Sequence, residues 1–411
     1  MQTSQSEKDK KKGVLLVHPG TQHAPRLASE LHRRGLLTEF WSCLATGDDA
    51  AWLRLLPPNF RAKLGGRICR GLPAGKVRSR PLLEIRCLAR MRRGYRGEDV
   101  FHERNEAFQK AVSEKSLRRA GAVVGFDTSS WILAERACTA GIPFILEQTV
   151  AHPLHKQRMM EEAARRFPAW AEREGPRPEH VLAAERSEHE RAFRIVVGSS
   201  YCRNTLIEQE VDEAKIMVNP YGVERSNADF AARVDDEDRP LRFLFLGFLS
   251  LRKGLPLLLE AWEKAGLRDA ELVLAGGIRQ EHRRLLPDSK SVRYAGFVPR
   301  DSLPVFLPQH DVNVLPSFSE GFAISLIEAM SAGLPVLATH HTGAPDMVTP
   351  GNEGFILPVG DLDSLVEQLR WFSANRDRIR GMSAAARLKS REFTWERYGA
   401  AYEEMLHELG S

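Results

Sequence analysis

The sequence has no C-x-x-C pair, no G-x-G-x-x-G fingerprint, no G-x-x-x-x-G-K-[ST] phosphate loop, and no apolar run near the roughly 20 residues that span a bilayer. Each absence removes a class of function. Without the dinucleotide fingerprint, hydride transfer with a nicotinamide cofactor is disfavoured, since His18-Pro-Gly-Thr-Gln-His23 and Ala275-Gly-Gly277 do not have its spacing. The five cysteines, Cys43, Cys69, Cys87, Cys138 and Cys202, are odd in number and widely spaced. They argue against a disulfide framework or structural zinc and are expected to be buried reduced thiols. Met1–Lys12 is polar and Lys-rich with no apolar core of a signal peptide, so a loose cytoplasmic tail is expected there, on a chain that does not span a membrane.

What is present is a globular chain of 411 residues, 43% apolar and 27% charged, too long for one core and therefore expected to form two domains. Its net charge of +5 is unevenly placed: residues 61–120 hold 17 Lys and Arg against 6 Asp and Glu. That stretch reads either as a solvated helical face or as a patch that meets an anionic membrane or a negatively charged acceptor.

Short apolar runs alternate with helix-period segments, the pattern of parallel strands with helical crossovers, so the fold class is α/β. Strands are expected at Val14–Val17, Ala122–Gly125, Pro143–Leu146 and Ile195–Val197, then at Phe243–Leu246, Glu271–Ala275, Val312–Leu315 and Val336–Ala338. The acidic, proline-closed segment Asp229–Pro240 separates the two sets. The expected division is a tail (1–12), a first Rossmann-like domain (13–228), a linker (229–240), a second Rossmann-like domain (241–388) and a C-terminal helical segment (389–411). Open α/β sheets bind ligands at the carboxyl ends of their strands, and two facing sheets make a cleft.

The most informative segment, Leu315–Pro335, runs from a strand end through a loop into a helix that Gly321 is expected to open and Gly333-Leu-Pro335 to close. Glu320 then stands at the helix start and Glu328 eight residues on, about 12 Å along the axis. Carboxylates that far apart cannot flank one scissile bond, but both can accept hydrogen bonds from one elongated polyol. The backbone N–H groups of Gly321, Phe322 and Ala323 are expected to point into the same loop, where a helix dipole favours an anion. Either glutamate alone also reads as an ordinary helix residue. A second element, Phe245–Gly254, is a strand feeding a Gly-containing loop with Arg252 and Lys253, cations suited to a diphosphate leaving group.

Together Gly247–Gly254 (G-x-L-S-x-x-K-G), Gly296-Phe-Val298, Glu320 and Glu328 (E-x7-E), Gly343-Ala-Pro-Asp346 and Gly354–Pro358 resemble the donor domain of the retaining family 4 glycosyltransferases, which have the two-domain fold called GT-B. The resemblance runs across almost the whole chain. It implies Lys253 at the donor diphosphate, Glu320 at the transferred sugar, Glu328 at the ribose hydroxyls and Val298 beside the nucleotide base. Many members have arginine directly after the first glycine, where this chain has Phe248; Arg252 then supplies the charge.

In the first half, Gly20 allows close backbone approach, and Gly20 and Thr21 are candidate contacts near donor phosphate or acceptor. His18 is grouped with them on the acceptor side, although His18 and His23 also read as ordinary loop residues. His152, past the strand ending at Leu146, resembles the family's active-site histidine, which contacts the transferred sugar. Asp127 is a further acceptor-side candidate. Asp361-Leu-Asp363 imitates a D-x-D metal motif, but its place before an apolar-periodic helix makes it a helix cap, so neither a divalent ion nor any other cofactor is expected. Phe393–Tyr398 opens the helix that in related proteins crosses back to the first domain, and the cleft is expected to close by a hinge motion.

The resemblance implies a metal-independent retaining transferase that moves a hexose-type sugar from a nucleoside diphosphate to a cytoplasmic-side acceptor in glycan or polysaccharide biosynthesis. The basic stretch 61–120 suggests that the acceptor is lipid-linked or anionic and that the protein works in the cytoplasm in peripheral contact with an anionic membrane; no nucleic acid partner is expected. An epimerase or phosphorylase of the same fold, or a non-catalytic nucleotide-sugar-binding protein, would share these residues.

Overall fold

The computed structural model describes residues 13–20, 22–51, 53, 67–171, 177–223, 230 and 239–409. Thr21, the 1–12 tail and all of the expected linker except Phe230, Arg239 and Pro240 lie outside the described residues.

Fifteen strands are described: β1 (Val14–Val17), β2 (Leu37–Ser42), β3 (Thr46–Gly47), β4 (Ile68–Cys69), β5 (Val77–Ser79), β6 (Ala122–Phe126), β7 (Phe144–Gln148), β8 (Arg194–Val197), β9 (Ile216–Val218), β10 (Leu241–Leu246), β11 (Ala270–Ala275), β12 (Val292–Gly296), β13 (Val312–Leu315), β14 (Val336–Thr339) and β15 (Gly354–Leu357). They form a seven-stranded sheet, β5-β2-β1-β6-β7-β8-β9, a six-stranded sheet, β12-β11-β10-β13-β14-β15, and the short pair β3-β4. Every described pairing in the two large sheets is parallel.

Parallel strands covered on both faces must be apolar on both. In β1, Val14 and Leu16 pack into one cluster and Leu15 and Val17 into another, so the two-residue period of a strand feeds both layers at once. The cluster holding Leu16 continues into the second sheet's core through Phe243, Leu272 and Phe322.

In each sheet the strand order reverses beside the first strand, between β1 and β6 and between β10 and β13. The loops on either side of such a reversal diverge and open a crevice. Those loops carry His18–Gly20 and Asp127 in the first sheet, and Gly247–Gly254 and Pro316–Ala323 in the second.

The last helix, Trp395–Glu408, is capped by Thr394 and packs on the helix Ala24–Arg33 of the first domain. Buried Glu147 at the end of β7 fixes it there: the hydroxyls of Tyr398 and Tyr402 both donate to Glu147, and His23 Nε2 lies 3.2 Å from its other oxygen. Asp361 caps the helix Leu362–Ala374 by accepting from Ser364 N, and Asp363 pairs with Lys264. Four of the five cysteines are buried and free; Cys138, expected to be buried, is exposed near the end of the helix Trp131–Thr139.

Candidate functional site

The helix after β13 runs from Ile324 to Ser331, three residues later than the sequence pattern suggests. Gly321 and Phe322 belong to the preceding loop, and Ala323 takes the left-handed conformation at φ 61°. Glu320 is therefore a loop residue and not a first-turn acid. The reason is tertiary: Gly321 is wedged against the first domain, where a Cβ would stand 2.0 Å from Thr149 O. Its carbonyl accepts from Ser199 Oγ at 2.6 Å and from Cys202 Sγ at 3.2 Å.

The loop Leu246–Gly254 crosses directly over this segment. Gly254 adopts φ 74°, and a Cβ there would fall 1.8 Å from Pro316 O, so the close approach admits only glycine. This packing delivers both cations to one carboxylate: Lys253 Nζ lies 2.6 Å from Glu320 Oε2 and Arg252 Nη1 2.8 Å from Oε1. Burial pushes the Glu320 carboxyl up, but the charges of Lys253 and Arg252 and their hydrogen bonds outweigh it and hold the group at about 2. Arg252 also donates to Ser319 O at 3.0 Å, and Tyr201, from the first domain, donates to Ser319 Oγ at 3.1 Å.

Glu328 is buried on the helix Ile324–Ser331, and Arg300 covers it: Nη2 and Nε lie 2.7 and 3.1 Å from the same oxygen, Oε1. No described residue hydrogen-bonds Oε2. Val298 is half-buried two residues before Arg300, next to Phe297, which is 76% exposed. Phe248 lies against Gly277, at the rim formed by the ends of β10 and β11.

On the facing side, His152 caps the helix Pro153–Arg166, its Nδ1 accepting from Leu154 N. Burial, with smaller contributions from His155 and Arg177, holds its imidazole down at about 4. Its ring lies 5.4 Å from that of His189, which burial holds at about 3. The loop that ends in His152 is the one against which Gly321 packs. Asp127 is buried, its Oδ1 accepting from Thr149 N and Oγ1, so it supports that loop. His18 is buried against Phe126, ring centroids 4.3 Å apart, and neither ring nitrogen has a hydrogen-bond partner among the described residues. Gly20 approaches it so closely that a Cβ would lie 2.9 Å from His18 Nε2.

The structure thus brings Arg252, Lys253 and Glu320 into one cluster and sets the His152 loop against it; Glu328 and Val298 lie along the neighbouring rim. The sequence reading missed Arg300, Tyr201 and Lys156. Lys156 follows His152 by four residues and so shares its helix face. Burial lowers its ammonium, and the positive charge of Arg252 adds to that effect across the cleft. The i, i+4 spacing was the available signal for Lys156; nothing local marked the other two. Among the described residues no group of three or more His, Cys, Asp or Glu is placed to hold a metal ion, and no helix is long and apolar enough to cross a membrane.

Residues 227–389 match the family model described as glycosyl transferases group 1. The amylovoran biosynthesis glycosyltransferase AmsK of Erwinia amylovora is 26% identical over 227 residues, covering 51% of this chain and 56% of that protein. The chain spans about half the length, or less, of the first such relatives it matches. The fold is that of solved GT-B structures. Sucrose-phosphate synthase from Thermosynechococcus elongatus superposes with a TM-score of 0.67 at 18% identity, covering 97% of this chain and 99% of that one. Anabaena HepE, solved in complex with UDP and glucose, gives 0.63 at 14% identity, over 97% and 100%.

Proposed function

We propose that this chain, whose residues 227–389 match the family model of group 1 glycosyl transferases, moves a hexose-type sugar from a nucleoside diphosphate to an acceptor in glycan or polysaccharide biosynthesis. The reaction retains the anomeric configuration and uses no metal. The observation that carries this reading is the Arg252–Lys253–Glu320 cluster at the point where the second sheet's strand order reverses.

With donor bound, Lys253 and Arg252 turn from Glu320 to the diphosphate and stabilise the charge that grows on the departing phosphate. Glu320 then accepts hydrogen bonds from the sugar hydroxyls, and Glu328, through Oε2, from the ribose. That a relative in fold, HepE, was solved with UDP and glucose supports a nucleotide-sugar donor in this cleft. At about 2, Glu320 is too weak a base to take a proton at neutral pH, and His152 at about 4 is little better. Their weakness supports transfer of the acceptor's proton to the departing phosphate oxygen, on the face the nucleotide leaves. His152 contacts the transferred sugar, and catalysis is positioning plus charge stabilisation.

The acceptor enters beside His18, Gly20 and Asp127. The two unpartnered nitrogens of His18 support this placement, because a buried imidazole without a partner is costly unless a ligand supplies one. The cation excess of residues 61–120 supports a lipid-linked or anionic acceptor on the cytoplasmic side.

A thermal-shift and turnover screen of UDP, GDP and ADP sugars without metal tests the proposal. Stabilisation by one nucleotide class, lost in Lys253→Ala and Glu328→Ala, is expected. A folded protein that no donor stabilises would overturn it.

A further inference from the structure

A charge drawn out of water normally has a partner. Lys156, half-buried on the helix Pro153–Arg166, has none: its ammonium makes no hydrogen bond or ion pair with any described residue. The two carboxylates whose charge reaches it are already engaged. Asp127 accepts from Thr149 Oγ1 at 2.8 Å, and both oxygens of Glu185 lie 2.6 Å from Arg177 Nη1. The other charges that act on the ammonium are positive, Arg177 in the first domain and Arg252 across the cleft.

The helix aims this side chain at the second domain. His152, Lys156, Met160, Ala163 and Phe167 recur at three- and four-residue steps and so share one face. Met160, Ala163 and Phe167 pack on the cluster that runs into the second sheet, and the rings of Phe167 and Phe318 lie 6.3 Å apart. Arg166 ties the end of the helix to Gly360 O at 2.6 Å. At its start, the loop before His152 presses on Gly321 through Thr149 O. Phe318 and Gly321 bracket Glu320, and Phe318 N donates to Arg252 O at 2.8 Å. Lys156 lies about 6 Å along the axis from His152. It therefore faces the cluster of Arg252, Lys253 and Glu320 from the opposite wall of the cleft.

We propose that Lys156 is the first domain's ligand for the donor diphosphate. The proposal rests on the sugar-transfer reading and deepens it. A nucleoside diphosphate sugar carries two negative charges and gains a third as the sugar leaves. Arg252 and Lys253 bring two positive charges, but Glu320 beside them cancels one, so the second domain alone leaves the donor under-matched. The ammonium of Lys156 closes that gap. Because it comes from the opposite wall, both domains grip the diphosphate at once, and its charge serves the departing phosphate, where negative charge grows.

Calorimetric titration with UDP, GDP and ADP, each beside its nucleoside, reads this contact without reference to turnover. Lys156→Met keeps an unbranched stem and removes the charge; Lys156→Gln keeps a polar end. Both should unfold thermally no earlier than the parent, because a charge without a partner is lost. Diphosphate affinity is expected to fall about tenfold in each, the size of one hydrogen bond to a charged group, with nucleoside affinity unchanged. Variants that bind the diphosphate as tightly as the parent overturn the proposal; if their sugar transfer has fallen nonetheless, the anion that Lys156 meets belongs to the acceptor. Equal loss of diphosphate and nucleoside affinity also overturns it and makes the role structural. A parent that binds none of the three diphosphates sinks the donor reading, and this contact with it.

Discussion

Lys253 and Glu320 are 67 residues apart in sequence, and their charged atoms lie 2.6 Å apart in the crevice between β10 and β13. Arg252 holds the other carboxylate oxygen, so both cations converge on one carboxylate. On the proposed reading a donor takes this cluster apart, cations to phosphate and carboxylate to sugar, and the two jobs separate by substitution.

Glu320→Gln keeps the shape of the side chain and leaves the cations for diphosphate. It should retain nucleoside diphosphate binding in calorimetry while sugar transfer falls about a hundredfold or more. Lys253→Ala should weaken nucleoside diphosphate binding itself by about tenfold. Equal loss of diphosphate affinity in both variants would refute the division of roles.

Arg300 and Glu328 offer a sharper contrast. Both arginine contacts fall on Oε1, so a ribose hydroxyl can use Oε2 with Arg300 in place. Glu328→Ala should cost about tenfold or more in nucleotide affinity, the size of one hydrogen bond to a charged group. Arg300→Ala, at a side chain 61% exposed, should change it little. The reverse ranking in a titration with the preferred nucleotide would assign the ribose contact to Arg300.

His18→Phe should stabilise the protein and impair it at once. The substitution keeps a ring against Phe126 and removes two buried nitrogens that have no partner among the described residues. Relief of such groups is worth about 1–3 kcal/mol, to be seen as a higher urea midpoint. Transfer to acceptor should fall while donor affinity stays; unchanged transfer would remove His18 from the acceptor side.

The buried histidines set a pH dependence. His152 and His189 are held neutral down to about 4 and about 3, against an ordinary 6.5 in the unfolded chain. As pH falls from 6.5 towards 4, the unfolded chain takes up protons that the native one refuses, so stability falls over that window and is fully present above it. Urea midpoints measured across the window should drop less in His152→Gln than in the parent. Parallel curves would mean that His152 is not held neutral.

Much of the plan was legible in the chain because it rests on local patterns. β1, β6, β7, β8, β10, β11, β13 and β14 are short apolar runs buried on both faces, and such runs announce themselves. β5, β9 and β12 lie at sheet edges and are only partly buried, so their sequences mix polar and apolar residues. β2 is interior yet carries Glu39, whose charge Ser116 and Arg78 satisfy from other segments, with Trp41 donating from the same strand.

The sequence by itself determined the α/β class, the two Rossmann-like halves and the residue types of the candidate site, because strand and helix periods and glycine-bearing turns are properties of neighbours along the chain. The start of the helix at Ile324 rather than Gly321, the pairing of Lys253 and Arg252 with one carboxylate, the cover of Arg300 over Glu328 and the exposure of Leu82, Ile85 and Leu88 on the helix Pro81–Arg92 were decided only in three dimensions. Each depends on what another part of the fold presses against it. Gly321 stays out of the helix because Thr149 O occupies the space a side chain would need, and no local propensity encodes an atom 172 residues away.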